Sequence, residues 1–233
     1  MMKKLVITLL AALPLFAFAA GPSIPLDAAN NDLADKESLK RGFKSYINYC
    51  LGCHQLQYQR YNRTFADLGI SDEEGKAEWM FTGEKVGDHI TNTMPAKEAA
   101  AWFGAAPPDL TLEARFRSPD WIYTYLRSFY VDEARPFGVN NKVFKDVGMP
   151  HVLQNLQGIR TMDENGVLSA PVGGTMTEAE YDAFARDLTN FLEYVGEPNK
   201  LERKELGKWV IGFLFILFIL SYFLKKEYWR DVH

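Results

Sequence analysis

The stretch Cys50-Leu51-Gly52-Cys53-His54 decides how the rest of the chain is read. Two cysteines three apart, with a histidine directly after the second, form the attachment pattern of a c-type haem. The spacing has a chemical reason. Each thiol adds across one vinyl group of the porphyrin to make a thioether, and the adjacent imidazole is then placed to give a nitrogen to the iron. Cys50 and Cys53 are the only two cysteines in 233 residues. A chain that spends them on haem keeps none for a disulfide or a thiolate metal site. The competing reading is a dithiol redox pair, which belongs near a βαβ pattern, and the sequence contains no such pattern.

A chain of this length accommodates one domain with appendages. Lys3 and Lys4, the apolar run Leu5–Phe16 and the exit Ala17-Phe18-Ala19-Ala20 read as a secretory signal peptide over residues 1–20, cut after Ala19 or Ala20. Near the other end, Trp209 to Leu224 is apolar apart from Gly212, Ser221 and Tyr222. With its flanks it reaches about 18 residues, the lower end of what spans a bilayer. An all-round apolar helix after a charged stretch has only lipid to pack against. The expected division is a signal peptide at 1–20, a periplasmic haem domain at 21–200, a linker at 201–206, a transmembrane anchor at 207–225 and a cytoplasmic tail at 226–233. Lysine and arginine flank the span on both sides, so orientation rests on the signal peptide, which exports everything before the anchor. The exported part, 21–206, carries 20 Lys+Arg against 28 Asp+Glu, a net −8 that the whole-chain value of −4 conceals. That balance disfavours nucleic acid and anionic lipid and favours encounter with a basic protein.

Along the chain, Pro22 and Pro25 predict an extended lead-in. Leu39, Phe43 and Ile47, with Tyr46 beside them, predict a helix over 35–49 that delivers the chain to Cys50. Residues 55–67 read as loop and short helix, and Asp72-Glu73-Glu74 as a solvated turn. Residues 96–106 read as a short helix ending near Gly104. Ser118, Pro119 and Asp120 form a helix start, with an apolar face running to about Tyr130. Residues 131–175 hold no long periodic run and read as a long loop over a cofactor. Thr177 and Glu180 form a capping box for a helix that ends at Gly196 and Pro198.

A methionine opposite His54 would raise the reduction potential and suit electron transfer. Met80, Met94, Met149, Met162 and Met176 are available, as are His89 and His151 for a bis-histidine site. Proline stiffens the turns after Met94 and Met149, and local chemistry divides the choice evenly between those two.

Taken in order, several motifs resemble one family. They are Leu39-Lys40-Arg41-Gly42-Phe43 leading through Asn48-Tyr49-Cys50 into the haem motif, and Pro107-Pro108-Asp109-Leu110 with Arg115 and Arg117. Next come Gly148-Met149-Pro150 followed by Leu156-Gln157-Gly158, and Thr175-Met176-Thr177 entering a helix that ends Gly196-Glu197-Pro198 before a single anchor. Together they resemble bacterial cytochrome c1, the haem subunit of ubiquinol–cytochrome c reductase. The resemblance implies a mainly α fold, a class I cytochrome c-like haem domain with long loop insertions and one C-terminal transmembrane helix. It implies Met149 as the sixth iron ligand, Arg117 against a haem propionate and Pro108 on the haem face. It also implies one-electron transfer from a Rieske iron–sulfur protein to a cytochrome c, in a dimeric complex with cytochrome b at the bacterial inner membrane. The extra cysteine pair of some members is absent, so packing must restrain the methionine side. A free-standing anchored cytochrome c that serves an oxidase shares every local motif. The roughly 140 residues between the haem motif and the anchor favour fixed partners instead. A haem enzyme with an open sixth position is the other alternative.

Overall fold

Leu39, Phe43, Tyr46 and Ile47 fall on one face of α1 (Lys36–Tyr49), whose first turn is capped by the Asp35 side chain accepting from the Ser38 amide. The computed structural model describes residues 24–232, so the signal peptide read at 1–20 lies outside the described residues. The apolar face of α1 crosses that of α7 (Glu178–Gly196), burying Tyr181, Ala185, Leu188, Phe191, Leu192 and Val195. Each such large side chain contributes about 1.5–3 kcal/mol on leaving water. Close approach depends on Gly42, where a Cβ would lie 2.1 Å from the Asp187 carbonyl oxygen. Polar groups then pin the crossing. Asp187 accepts from Ser38 Oγ at 2.7 Å and from Arg41 Nε at 2.6 Å.

Between these helices come β1 (Leu56–Arg60), α2 (Tyr61–Leu68), β2 (His89–Ile90), α3 (Ala96–Phe103), α4 (Glu113–Arg117) and α5 (Pro119–Arg127). The acidic Asp72–Glu74 forms a single turn capped by Ser71 and continues into a wider turn, Gly75–Trp79, that stacks Trp79 on Phe43. The helix expected to reach Tyr130 stops at Arg127, because Phe129 turns into a second small core with Val139 and Val147. The stretch expected as one long loop has its own local order. It holds a hairpin of β3 (Phe129–Val131) and β4 (Val139–Asn141), the single turn α6 (Gln154–Gln157), and a pair of β5 (Gly158–Ile159) and β6 (Val172–Gly173). Strands of two or three residues are too short to show a period in sequence. The lead-in, residues 24–34, is strapped down. Its Asp27 and Ala29 amides donate to Thr124 and Asp120 on α5, and Arg186 of α7 donates to the Ala29 carbonyl.

The capping box at Thr177 and Glu180 is formed as expected. The chain then enters α8 (Lys200–Tyr228), the one helix among the described residues long and apolar enough to span a membrane, with none of its side chains buried. The charged residues 201–206 are its opening turns. A polar collar joins it to the domain. Lys200 pairs with Glu193 and Arg203 with Glu197, while Arg63 donates to the Asn199 side chain at 2.7 Å. The molecule is mainly helical, with one long C-terminal anchor helix.

Candidate functional site

The end of α1 winds directly into the cysteine motif. The Cys53 and His54 amides both donate to the Cys50 carbonyl, at 3.0 and 2.8 Å, which closes a turn with both thiols free. Burial, with the neighbouring Cys53 sulfur adding to it, pushes the Cys50 thiol up to about 12, so it stays protonated. A Cβ at Gly52 would meet nothing within 4 Å, so the turn has open space beside it. Tyr46 donates to the His54 carbonyl at 2.7 Å, and Asn92 donates to the Leu51 carbonyl at 2.8 Å.

His54 Nδ1 lies 2.8 Å from the Pro108 carbonyl oxygen. A carbonyl only accepts, so Nδ1 carries the proton and Nε2 keeps its lone pair. Burial moves this imidazole down from its usual range, which favours the neutral form. The loop that supplies Pro108 is hooked onto the residues after His54. The Asp109 carboxylate accepts from the Gln57 amide, and the Leu110 amide donates to the Gln55 carbonyl.

Met149 stands elsewhere in the chain, packed against the second core. Its sulfur accepts from the Tyr125 hydroxyl at 3.2 Å. Tyr125 stacks on Trp121 one turn earlier, with ring centroids 5.0 Å apart, and the Arg117 guanidinium sits 4.4 Å over the Trp121 ring. Arg117 also donates to Glu113 at 2.9 Å, and the Glu113 carboxylate acts on His54. The fold thus gathers Arg117, Trp121, Tyr125 and Met149 into one contact chain. Met94 follows Asn92, on the side of the cysteine turn. Met80 and Met176 pack on the main core, and Met162 lies on the exposed segment between β5 and β6. Pro108 acts here through its carbonyl. Sequence patterns gave no sign of that role, nor of the Tyr125 contact beyond its four-residue offset from Trp121.

Residues 29–232 match the Cytochrome C1 family. The chain belongs to the cytochrome c1 family. It is 50% identical to a cytochrome c1 from Allochromatium vinosum, with both chains covered in full. It is 47% identical to a protein of Nitrosomonas europaea named ammonia monooxygenase gamma subunit, covering all of this chain and 99% of that one. It is also 32% identical to a cytochrome b/c1 of Bradyrhizobium diazoefficiens, over 85% of this chain and 34% of that protein. As a cytochrome c1 it is a haem electron-transfer subunit of the bc1 complex, ubiquinol–cytochrome c reductase, in the respiratory chain. The residues present fit the c-type haem that cytochrome c1 implies. Two thiols sit on one turn, an imidazole keeps a free Nε2, and a thioether has one of its two lone pairs uncommitted.

Proposed function

We propose that this chain binds one c-type haem covalently through Cys50 and Cys53 and ligates its iron with His54 and Met149. In that form it passes single electrons from a Rieske iron–sulfur protein to a cytochrome c. The haem, when bound, supplies one iron that alternates between Fe(III) and Fe(II). The observation that carries the reading is the 2.8 Å contact of His54 Nδ1 with the Pro108 carbonyl, which points the Nε2 lone pair to the task of a metal ligand. Cys50 and Cys53 add as thiols, S–H across a vinyl C=C, forming C–S and C–H bonds with no net oxidation. Met149 offers a soft donor of the kind that raises potential. Arg117 is the cation available to a propionate, a role in which it would divide its donors between that anion and Glu113.

The topology that goes with this function is a signal peptide at 1–20, a haem domain at 21–200 in the periplasm, and a linker at 201–206. A single pass through the bacterial inner membrane at 207–225 and a cytoplasmic tail at 226–233 complete it. Cytochrome b is the fixed neighbour, a reading supported by the relative whose name joins cytochrome b and c1. The assembly is dimeric. The exposed acidic turn Asp72–Glu74 steers a basic cytochrome, and reduction rates fall as salt is added.

The test is to solubilise membranes in mild detergent, isolate the chain through a C-terminal tag, and record reduced-minus-oxidised spectra of what accompanies it. Co-purifying b-type haem and a Rieske signal, with quinol-dependent reduction, are the expected result. A lone c-type spectrum would favour a free-standing anchored cytochrome. Co-purifying ammonia-oxidising activity would favour the role named for the Nitrosomonas relative. Absence of covalent haem would end the proposal.

A further inference from the structure

Three tyrosines buried in the domain satisfy their hydroxyls on oxygen. Tyr46 donates to the His54 carbonyl at 2.7 Å, Tyr181 to the Leu126 carbonyl at 2.9 Å, and Tyr194 to the Asp67 carboxylate at 2.7 Å. This is the ordinary fate of a buried phenol. Tyr125 departs from it. Among the described residues its hydroxyl donates to a sulfur, the Met149 thioether at 3.2 Å. Sulfur is a weak acceptor, so this contact is held in place by everything around it. Tyr125 is stacked on Trp121 and meets Phe129 edge-on at 5.2 Å. Its carbonyl accepts from the Asn141 side chain at 2.8 Å. It packs against both hydrophobic cores, whereas Met149 packs against the smaller one alone. The ring is rigid with two torsions, and the methionine side chain is flexible. The tyrosine therefore fixes the sulfur rather than the reverse.

We propose that Tyr125 is a positioning residue for the sixth iron ligand, seating the Met149 sulfur and tuning its donor strength through this hydrogen bond. The inference rests on Met149 being that ligand. A thioether has two lone pairs, and Tyr125 engages one of them. The other remains for the metal. A hydrogen bond draws density from the sulfur and weakens its donation. Fe(III) depends on that donation more than Fe(II), so the bond favours the reduced state and raises the potential.

The experiment uses the full haem-loaded chain in its membrane complex. Tyr125→Phe keeps the ring and removes only the oxygen. The methionine charge-transfer band of the oxidised protein should persist but shift. The Fe(III)/Fe(II) equilibrium should move about threefold toward Fe(III), a fall of about 28 mV at about 59 mV per decade. A 3,5-difluorotyrosine placed at position 125 preserves packing and strengthens the donor, so it should move the potential the opposite way. A potential unchanged in Tyr125→Phe, or both variants moving it in the same direction, overturns the proposal. Met149→Ala, measured alongside, separates the two readings. If it leaves the band intact, the ligand assignment fails. If it abolishes the band while the Tyr125 variants do nothing, only the role of Tyr125 fails. Should Tyr125→Phe fail to fold, the difluorotyrosine protein alone decides, through a raised or an unchanged potential.

Discussion

Cys50, Cys53 and His54 lie within five residues at the end of one helix, while Met149 stands between α5 and α7 in a segment of short strand pairs and loops stitched together by side-chain hydrogen bonds. The first region is built by apolar periodicity. Leu39, Phe43 and Ile47 recur every four residues, meet Leu188 and Phe191, and bring the haem motif to its place as the continuation of a packed helix. The second is built around two buried asparagines. Asn141, 1% exposed, accepts from the Val143 and Phe144 amides and from Ser128 Oγ, and donates to the Tyr125 carbonyl. Asn140 accepts from the Asp146 amide at 2.8 Å and donates to Asp132. In one region the solvent's rejection of apolar surface does the placing. In the other a small apolar core is joined by a set of hydrogen bonds that have no substitute once buried. These asparagine bonds, with the Tyr125 contact, hold the segment that carries Met149.

The comparison can be broken at either end. The largest effect is expected from Gly42→Ala. Its new methyl would sit 2.1 Å from a backbone oxygen and force α1 and α7 apart, at a cost of about 3 kcal/mol or more. Thermal melts of the detergent-solubilised chain should fall steeply, and covalent haem yield with them. Asn141→Ala should cost less, about 2–3 kcal/mol, from polar groups left buried without partners. It should act selectively, disturbing the methionine charge-transfer band while leaving covalent haem yield unchanged. A variant that lowered haem yield instead would mean that the two regions fold as one unit.

The smallest effect sharpens the picture at the start of α7. Thr177→Ala removes the cap and should cost about 1 kcal/mol near neutral pH. Hydrogen bonds from the Thr177 amide and hydroxyl hold the Glu180 carboxyl below its usual range. A depressed carboxylate contributes stability above its unfolded value and loses it as pH falls through its folded value. Protonating Glu180 should therefore shrink the difference between wild type and Thr177→Ala. Paired denaturation curves at neutral pH and near pH 3 measure this. A difference that grows on acidification would contradict the capping-box account.

The helices were legible in the sequence because their cores repeat at a fixed period and their caps are local: Leu39-Phe43-Ile47, Ser118-Pro119 and Thr177–Glu180 each announce themselves within one or two turns. The haem motif was legible for the same reason of locality. The hairpin at 129–141 was not, because its strands are three residues long and its buried Asn140 and Asn141 look like surface turn residues until their partners are seen. The part of Pro108 was hidden differently. It works through a backbone carbonyl, which every residue type possesses. The Tyr125 contact was masked by a face that reads equally well as plain core.

The collar that joins α7 to α8 has a geometric consequence. Because Lys200, Arg203 and Asn199 tie the first turn of the anchor to the domain, and the helix runs unbroken to Tyr228, the anchor behaves as an axle keyed to the haem domain. An α-helix turns by about 100° and advances about 1.5 Å with each residue. One residue added between Glu205 and Trp209 would keep the collar pairs Lys200–Glu193, Arg203–Glu197 and Arg63–Asn199 and swing the domain relative to the rest of the helix through roughly a quarter of a circle. Four residues would bring it back to within about 40° of its starting bearing, about 6 Å farther from the bilayer. The length of this stretch therefore sets the compass heading of the haem, and a ladder of insertions there would serve as a protractor for the direction in which electrons must leave.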